Sequence, residues 1–386
     1  MAAVPYDVVN TEEARSLAAG NPLSFLHVSR AEIDLPDGTD PYSPRVYEKA
    51  AAGFTALRGA APLEVEPDPS LYVYRLQMGS HIQTGVAGGF SLEEYDTGLI
   101  KKHERTRRDK EDDRTRHILA VRGQTGPVFL TYKAANGVDG VVARITAQAP
   151  LFTFTAPDGI VHTIWRASAA DRDGLVAAFG LIPALYIADG HHRAASAARA
   201  RQELGGAASS PGEWDTFLAV AFPDSQMQVL AYNRVVKDLA GETAASLLTK
   251  ISAVHAVKPG GKVPNRLGVV CMYLEGAWHE ITLSPAPASA SPSDRLDVSV
   301  LQDTVLTPLL GIGDVRSDKR IDFVGGARGA AELESLVNSA RAAVAFSLFP
   351  VRVTDLMEIS DTGGIMPPKS TWFEPKLRDG LLSHLI

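Results

Sequence analysis

Residues 184–204, ALYIADGHHRAASAARARQEL, pass from an apolar run to an alanine-rich run of helical spacing through five residues, Asp189 to Arg193. A buried strand followed so closely by a helix has to reverse sharply, and Gly190 is the residue that tolerates either sign of φ there. Asp189 suits the N-cap of the helix, and Gly205–Gly206 its stop. The first-turn N–H groups of a helix point outward without intrahelical partners, so the turn is a ready anion site. His191, His192 and Arg193 add side-chain donors, and an arginine can hold two oxyanion oxygens at once. The plain structural alternative is a capped helix whose histidines pack or face water. Zinc fits less well, because adjacent histidines on one turn diverge and Cys271 is the only cysteine.

The rest of the composition narrows the class. With 386 residues, 45% of them hydrophobic, the chain can bury one large core or two smaller ones. A formal net charge of −7 argues against nucleic acid as the main partner. A single cysteine excludes an intrachain disulfide and suits a reducing cytoplasm. No stretch of about 18 apolar residues and no basic head followed by an apolar stretch is present, so the reading is a soluble cytoplasmic protein without a membrane role.

Strand-like runs are expected at 71–78, 126–134, 140–147, 160–165, 217–222 and 228–236. Helical spacing is expected at 43–59, 91–121, 173–180, 241–251, 296–311 and 329–343. Their irregular alternation favours an α+β fold, a mixed sheet with flanking helices, over a doubly wound sheet. Residues 283–294, rich in Pro, Ala and Ser, read as a connector. Soft boundaries near 95 and 240 divide the chain into an N-terminal α+β segment (1–95), a phosphate-binding core (96–240) and a C-terminal α+β segment (241–386).

A second cluster, KKHERTRRDKEDDRTRH at 101–117, holds eight Lys or Arg and five Asp or Glu. Its plain reading is a solvated helix laced with i,i+4 pairs such as Glu104 with Arg108.

The turn ADGHHRAASA (188–197) resembles the phosphate-binding turn of the ParB and sulfiredoxin superfamily, and within it looks most like the free-serine kinases. With NPLSFLHVSRAEIDLP (21–36), YRLQMGSHIQTGVAGGFSLEEYDTGLIKKHERT (74–106) and MPPKSTWFEPKLRDGL (366–381), the chain is identified as a member of the bacterial and archaeal domain of unknown function 1015 family. The resemblance implies a ParB/sulfiredoxin-like core with an inserted β-hairpin at 140–165. It also implies that His103–Glu104 opens a helix leading through Asp113–Arg114 to a strand, with Glu104 as catalytic base. A base is what the chemistry needs, because an alcohol is a poor nucleophile until its proton is accepted. On a helix, Arg108 is the neighbouring arginine that would share the face of Glu104. The departure from the compact kinases is the inserted hairpin, which could separate base from turn.

The expectation is therefore a small-molecule kinase that transfers phosphate from ADP or ATP, with Mg²⁺, to free serine or a similar hydroxy amino acid. Gly190, His191, His192 and Arg193 would hold the nucleotide phosphates. Arg193 would also stabilise the moving phosphoryl group, Asp189 would assist the metal or the substrate amine, and His103, Arg108 and Gln83 could line the pocket. A ParB-like nucleotide switch without an acceptor and a non-catalytic effector or scaffold protein are the rivals, and homo-oligomerisation is left open. Other segments yield less. GGIMPPKST (363–371) has Pro368 where a P-loop needs a glycine N–H, and reads as a rigid clasp. The Gly-rich turn after 320–324 reads as ordinary helix packing, HIQTGVAGGF (81–90) as a loop, and His162 and His279 as structural.

Overall fold

A computed structural model describes residues 1–60, 63–205 and 211–386. The chain forms two compact units, one of residues 1–227 with 375–386 and one of residues 228–374. The strands of the first unit are β1 (Tyr72–Met78), β2 (His81–Ser91), β3 (Ile100–Lys101), β4 (Gly123–Gln124), β5 (Val128–Tyr132), β6 (Phe152–Thr155), β7 (Val161–Arg166), β8 (Leu185–Asp189) and β9 (Thr216–Pro223). Its helices are α1 (Thr11–Ala18), α2 (Leu26–Ser29), α3 (Pro44–Ala60), α4 (Leu92–Thr97), α5 (Arg108–Val121), α6 (Asn136–Thr146), α7 (Ala169–Phe179) and α8 (His191–Gly205). Eight strands make one sheet in the order β3-β8-β5-β9-β2-β1-β7-β6, while β4 pairs with residues 384–385. The sheet is mixed, with β3 parallel to β8 and β5 parallel to β9, which is the α+β architecture expected.

The core lies where alternation and helical spacing predict it. Leu130, Tyr132, Ile187, Phe217 and Ala219 from the sheet meet Ala194, Ala197, Ala198 and Ala200 of α8. Alanines on that face let α8 sit close over β5 and β9. A second cluster gathers Phe25, Val28, Val46, Ala50, Phe54 and Leu57 with Val121 of α5. Beside it, Asp113 of α5 accepts from the Tyr47 hydroxyl (2.9 Å) and pairs with Arg114 (2.9 Å), whose guanidinium lies 4.2 Å from the Tyr6 ring centroid. His117 bonds the Val28 carbonyl at 3.0 Å.

The second unit contains β10 (Val229–Leu230), β11 (Tyr232–Val236), β12 (Ala256–Pro259), β13 (Val269–Leu274), β14 (Ala277–Thr282), β15 (Ile321–Gly325), β16 (Val344–Leu348) and β17 (Trp372–Phe373). Its helices are α9 (Ala244–Ser252), α10 (Asp297–Leu301), α11 (Thr307–Leu310), α12 (Gly329–Asn338) and α13 (Val353–Asp361), with a π turn at Gln302–Leu306 between α10 and α11. Six strands, β12-β14-β13-β16-β11-β15, form a wholly antiparallel sheet, and α12 packs on the face that carries Val235, Tyr273 and Ala345.

Four expectations change. Residues 140–146 lie on helix α6, with Ala147 its C-cap, because Val138, Val141 and Ile145 recur at helical spacing and are buried together, outweighing the β-branched composition. The hairpin is β6–β7 instead, at 152–166. HIQTGVAGGF is strand β2, in the interior of the sheet between β1 and β9, where its glycines admit close neighbours. The run 91–121 is broken, since Gly98 takes φ +82° after α4 and β3 and a loop precede α5. Strand β2, from one side of residue 95, pairs with β9, from the other. Helix α8 ends at Gly205; Gly206 lies outside the described residues.

Asp113 compensates a buried cation, so Asp113→Ala should lower stability by about 3–5 kcal/mol, read as the urea midpoint, because it strands Arg114 and the Tyr47 hydroxyl. A loss below about 1 kcal/mol would show that the pair is solvated in solution.

Candidate functional site

Strand β8 ends at Asp189 and α8 begins at His191, so the whole reversal falls on Gly190, at φ +95°. A Cβ at Gly190 would stand 3.1 Å from the Arg193 guanidinium, a second reason for glycine. Gly190, not Asp189, occupies the position before the first helical residue, and its carbonyl accepts from Ala194 N–H at 3.1 Å. The opposing strand β5 shifts register between Phe129 and Leu130, beside the Phe129–Asp189 pair. Such an irregularity re-aims the strand end, a device frequent beside functional sites.

Arg193 turns inward. One terminal nitrogen donates to the Pro127 carbonyl, and the other lies 3.4 Å from Asp189 and 3.7 Å from Asp7. The side chain is 8% exposed. Burial opposes its charge, but Asp7, Asp189 and Asp379 more than offset that and raise its pKa. Carboxylates beneath the turn hold the guanidinium there, where it braces Asp189. A cavity of about 40 Å³ bounded by Tyr6, Arg114, Gly126, Arg193 and Asp379 has room for a water or two and not for a nucleotide.

The two histidines at the start of α8 contact the loop that precedes α5. His191 Nε2 accepts from the His103 N–H (3.5 Å), and His192 Nε2 accepts from the Arg107 N–H (3.0 Å). The ring of His103 stands edge-on to His191 with centroids 4.4 Å apart. Loop 102–107 is thereby latched across the start of α8. Burial lowers the pKa of both histidines, and that of His103 to about 4, so the neutral acceptor forms prevail. The tautomers follow: with Nε2 accepting, the proton sits on Nδ1. His191 Nδ1 then faces Glu104 Oε2 at 3.7 Å.

Glu104 lies beside the turn, on the loop that precedes α5 and not on a helix. Its side chain is 44% exposed, so it is reachable. Since α5 starts at Arg108, the helical face supposed to join Glu104 to Arg108 does not exist, and Arg108 is an exposed residue at the helix start. The acids of α5 instead pair across to α8, Arg199 lying 2.6 Å from Asp112 and 3.5 Å from Glu111. Gln83 is buried on β2, three strands from β8, with its oxygen 3.2 Å from His81 Nε2.

Lys376 is the residue sequence reasoning missed. Its ammonium lies 3.3 Å from Asp189 Oδ2. The segment that carries it is fixed by Arg378, which donates to His162 Nε2 (3.2 Å) and pairs with Asp158 in the β6–β7 turn. The inserted hairpin therefore anchors the strap that delivers Lys376. Burial would raise the Asp189 pKa, but Lys376 and Arg193 outweigh it and hold the carboxyl well below the usual range. Asp189 is one-third exposed and neutralised by two cations, and among the described residues no three His, Cys, Asp or Glu side chains converge to hold a metal. This donor set does not fit Mg²⁺ as the resident ion expected at Asp189.

Asp379 lies beneath Arg193, where residues 3 and 379 exchange backbone hydrogen bonds. Its carboxylate approaches Gly126 so closely that a Cβ there would be 2.7 Å from Oδ1. Burial raises its pKa to about 7, against Arg193, which lowers it.

The first unit is thus an α+β body with a strand–glycine–helix turn and the Glu104 carboxylate beside it. The chain belongs to the family described as "Protein of unknown function (DUF1015)", whose model matches residues 1–299. No curated protein matches the chain. Among solved structures, free serine kinase in complex with AMP is 12% identical at TM-score 0.37, covering 83% of this chain and 96% of its own. SbnI from Staphylococcus aureus, with a C-terminal truncation, is 11% identical at TM-score 0.40, covering 78% and 87%. A conserved hypothetical protein from Pyrococcus furiosus is 14% identical at TM-score 0.36, covering 82% and 96%.

The raised pKa of Asp379 has a definite sign. Between the ordinary carboxyl value and about 7 the folded chain holds a proton that the unfolded chain releases. This contribution is fully present below the unfolded pKa and lost as pH rises through about 7. Asp379→Asn should therefore gain stability on the wild type between pH 5 and pH 8.5, by at least about 1 kcal/mol in urea denaturation. A difference independent of pH would mean that Asp379 is ionised throughout.

Proposed function

We propose that the chain is a small-molecule phosphotransferase that moves a phosphoryl group from ADP or ATP to the hydroxyl of free serine or a similar hydroxy amino acid. One observation carries this reading: the loop that bears Glu104, an accessible carboxylate, is latched to the start of α8 through His191, with Glu104 Oε2 3.7 Å from His191 Nδ1. A proton acceptor next to an anion site is what alcohol phosphorylation requires, whereas a protein that only binds nucleotide needs no base. The resemblance of the Asp189–Arg193 turn and of His103–Glu104 to free-serine kinases supplies the acceptor class.

In this reading the backbone N–H groups of His191, His192 and Arg193 receive the terminal phosphate. Glu104 takes the hydroxyl proton as the substrate oxygen bonds to phosphorus and the bond to the leaving nucleotide oxygen breaks. Lys376 balances charge on the phosphoryl oxygens, and Asp189, braced by Arg193, positions Lys376 or the substrate ammonium. Mg²⁺ would enter with the nucleotide phosphates, and no step here depends on a protein-held ion.

Glu104→Gln keeps the shape and a hydrogen-bonding oxygen but accepts no proton. It should bind ADP with near wild-type affinity and form phosphoserine at least about a hundredfold more slowly. Wild-type turnover in that variant would remove Glu104 as base. A wild-type chain that binds ADP but phosphorylates no hydroxyl compound would favour the nucleotide switch.

Helix geometry makes a second demand. His192→Phe removes the acceptor for the Arg107 N–H and should loosen loop 102–107, lowering kcat while ADP affinity changes less than threefold. An unchanged kcat would show that the loop is held without His192.

A further inference from the structure

Within the second unit, β11 lies between β16 and β15, and its residues alternate between the two faces of the sheet. Val235 faces α12, so Arg234 projects from the opposite face, the side of its register partner Phe346. That face borders a cavity of about 340 Å³, whose walls include Tyr232, Arg234, Asp297, Leu348, Arg352 and Ser370.

Arg234 is 2% exposed. One of its terminal nitrogens donates to the Tyr232 carbonyl and the other to the Lys369 carbonyl, at 3.2 Å. Its guanidinium also lies 5.5 Å from the Phe323 ring centroid. Among the described residues it forms no ion pair, unlike Arg352, which pairs with Asp355, and Arg295, which pairs with Glu358. Burial without a neighbouring carboxylate pulls its pKa down to about 9. A buried cation is costly unless an anion compensates it, and a guanidinium has five N–H donors to satisfy. The cation is also held in place by MPPKST, the segment to which sequence reading assigned no chemistry: Lys369, at φ +57°, turns its carbonyl onto Arg234, and Ser370 reaches the cavity wall.

We propose that this cavity binds a small metabolite through an oxyanion, carboxylate or phosphate, that completes the coordination of Arg234. A second wall residue defines the rest of the ligand. Asp297 is turned to the Gly268 N–H (3.0 Å to each oxygen) and has no cationic partner among the described residues, so it favours hydroxyl or amino donors on the ligand. The cavity volume accommodates a molecule of amino-acid or sugar-phosphate size. This site is confined to the second unit and does not rest on the phosphotransferase reading.

The test titrates the full chain with inorganic phosphate and, separately, with acetate, following by NMR the backbone amide N–H resonance at position 234, which every variant retains. One of the two probes should shift that resonance saturably, and which one does so distinguishes a phosphate ligand from a carboxylate ligand. Arg234→Lys, which keeps the charge but loses the planar fork, should weaken that probe at least about tenfold. Arg234→Met should abolish it, and if that variant does not fold, Arg234→Lys decides. Lys376→Met, at the other site, should leave the affinity unchanged. The proposal is overturned if neither probe shifts the Arg234 resonance, if Arg234→Lys binds as the wild type does, or if Lys376→Met alone removes the binding.

Discussion

The candidate site depends on two imidazole nitrogens that accept backbone N–H groups. His191 and His192 lie at the opening of α8 and fasten loop 102–107 to it through His103 and Arg107. This places the Glu104 carboxylate beside the start of α8. The attachment requires neutral rings, and burial keeps them so. Because their folded pKa values lie below the ordinary histidine value, the latch is fully formed above that value and is lost as pH falls through the depressed ones. Arg193 completes the arrangement from below, since the carboxylates around it keep it braced under the turn.

A fixed carboxylate close to a fixed set of N–H donors acts by position more than by strength. Phosphoryl transfer gains most from alignment and from dipoles that need no reorganisation. Loop 102–107 would be a poor platform alone, but its two backbone bonds to α8 give it the register of a helix. Lys376 arrives by another route, on a strap fixed to the β6–β7 turn through Arg378 and Asp158. Turn, loop and strap come from distant parts of the chain, and each is held by charge or hydrogen bonds at its base.

The turn itself was legible in the sequence, because an apolar run, a glycine and an alanine-rich run leave little freedom. The mixed sheet followed from the irregular alternation of strand-like and helical runs. Side-chain roles were less legible. Whether a histidine donates or accepts depends on what crosses it, and loop 102–107 is far from His191 in sequence. The inward turn of Arg193 depends on Asp7 and Asp379, from opposite ends of the chain. At 91–121 the charge pattern suggested one helix, whereas Gly98 at φ +82° breaks it. At 140–147 the β-branched residues suggested a strand, but only helical spacing buries Val138, Val141 and Ile145 together. Lys376 could have been flagged, since a lysine in a segment of unassigned chemistry is a reasonable partner for Asp189.

Under the proposed function, nucleotide phosphate docks on the opening of α8 under loop 102–107. Hydrogen–deuterium exchange of the full chain, with and without Mg-ADP, addresses it directly. Docking there should slow exchange at the amides of residues 102–107 and 191–193, with little change in α12 or in β13 and β14 of the second unit. Unchanged exchange in both segments at saturating ADP, or protection confined to the second unit, would contradict it.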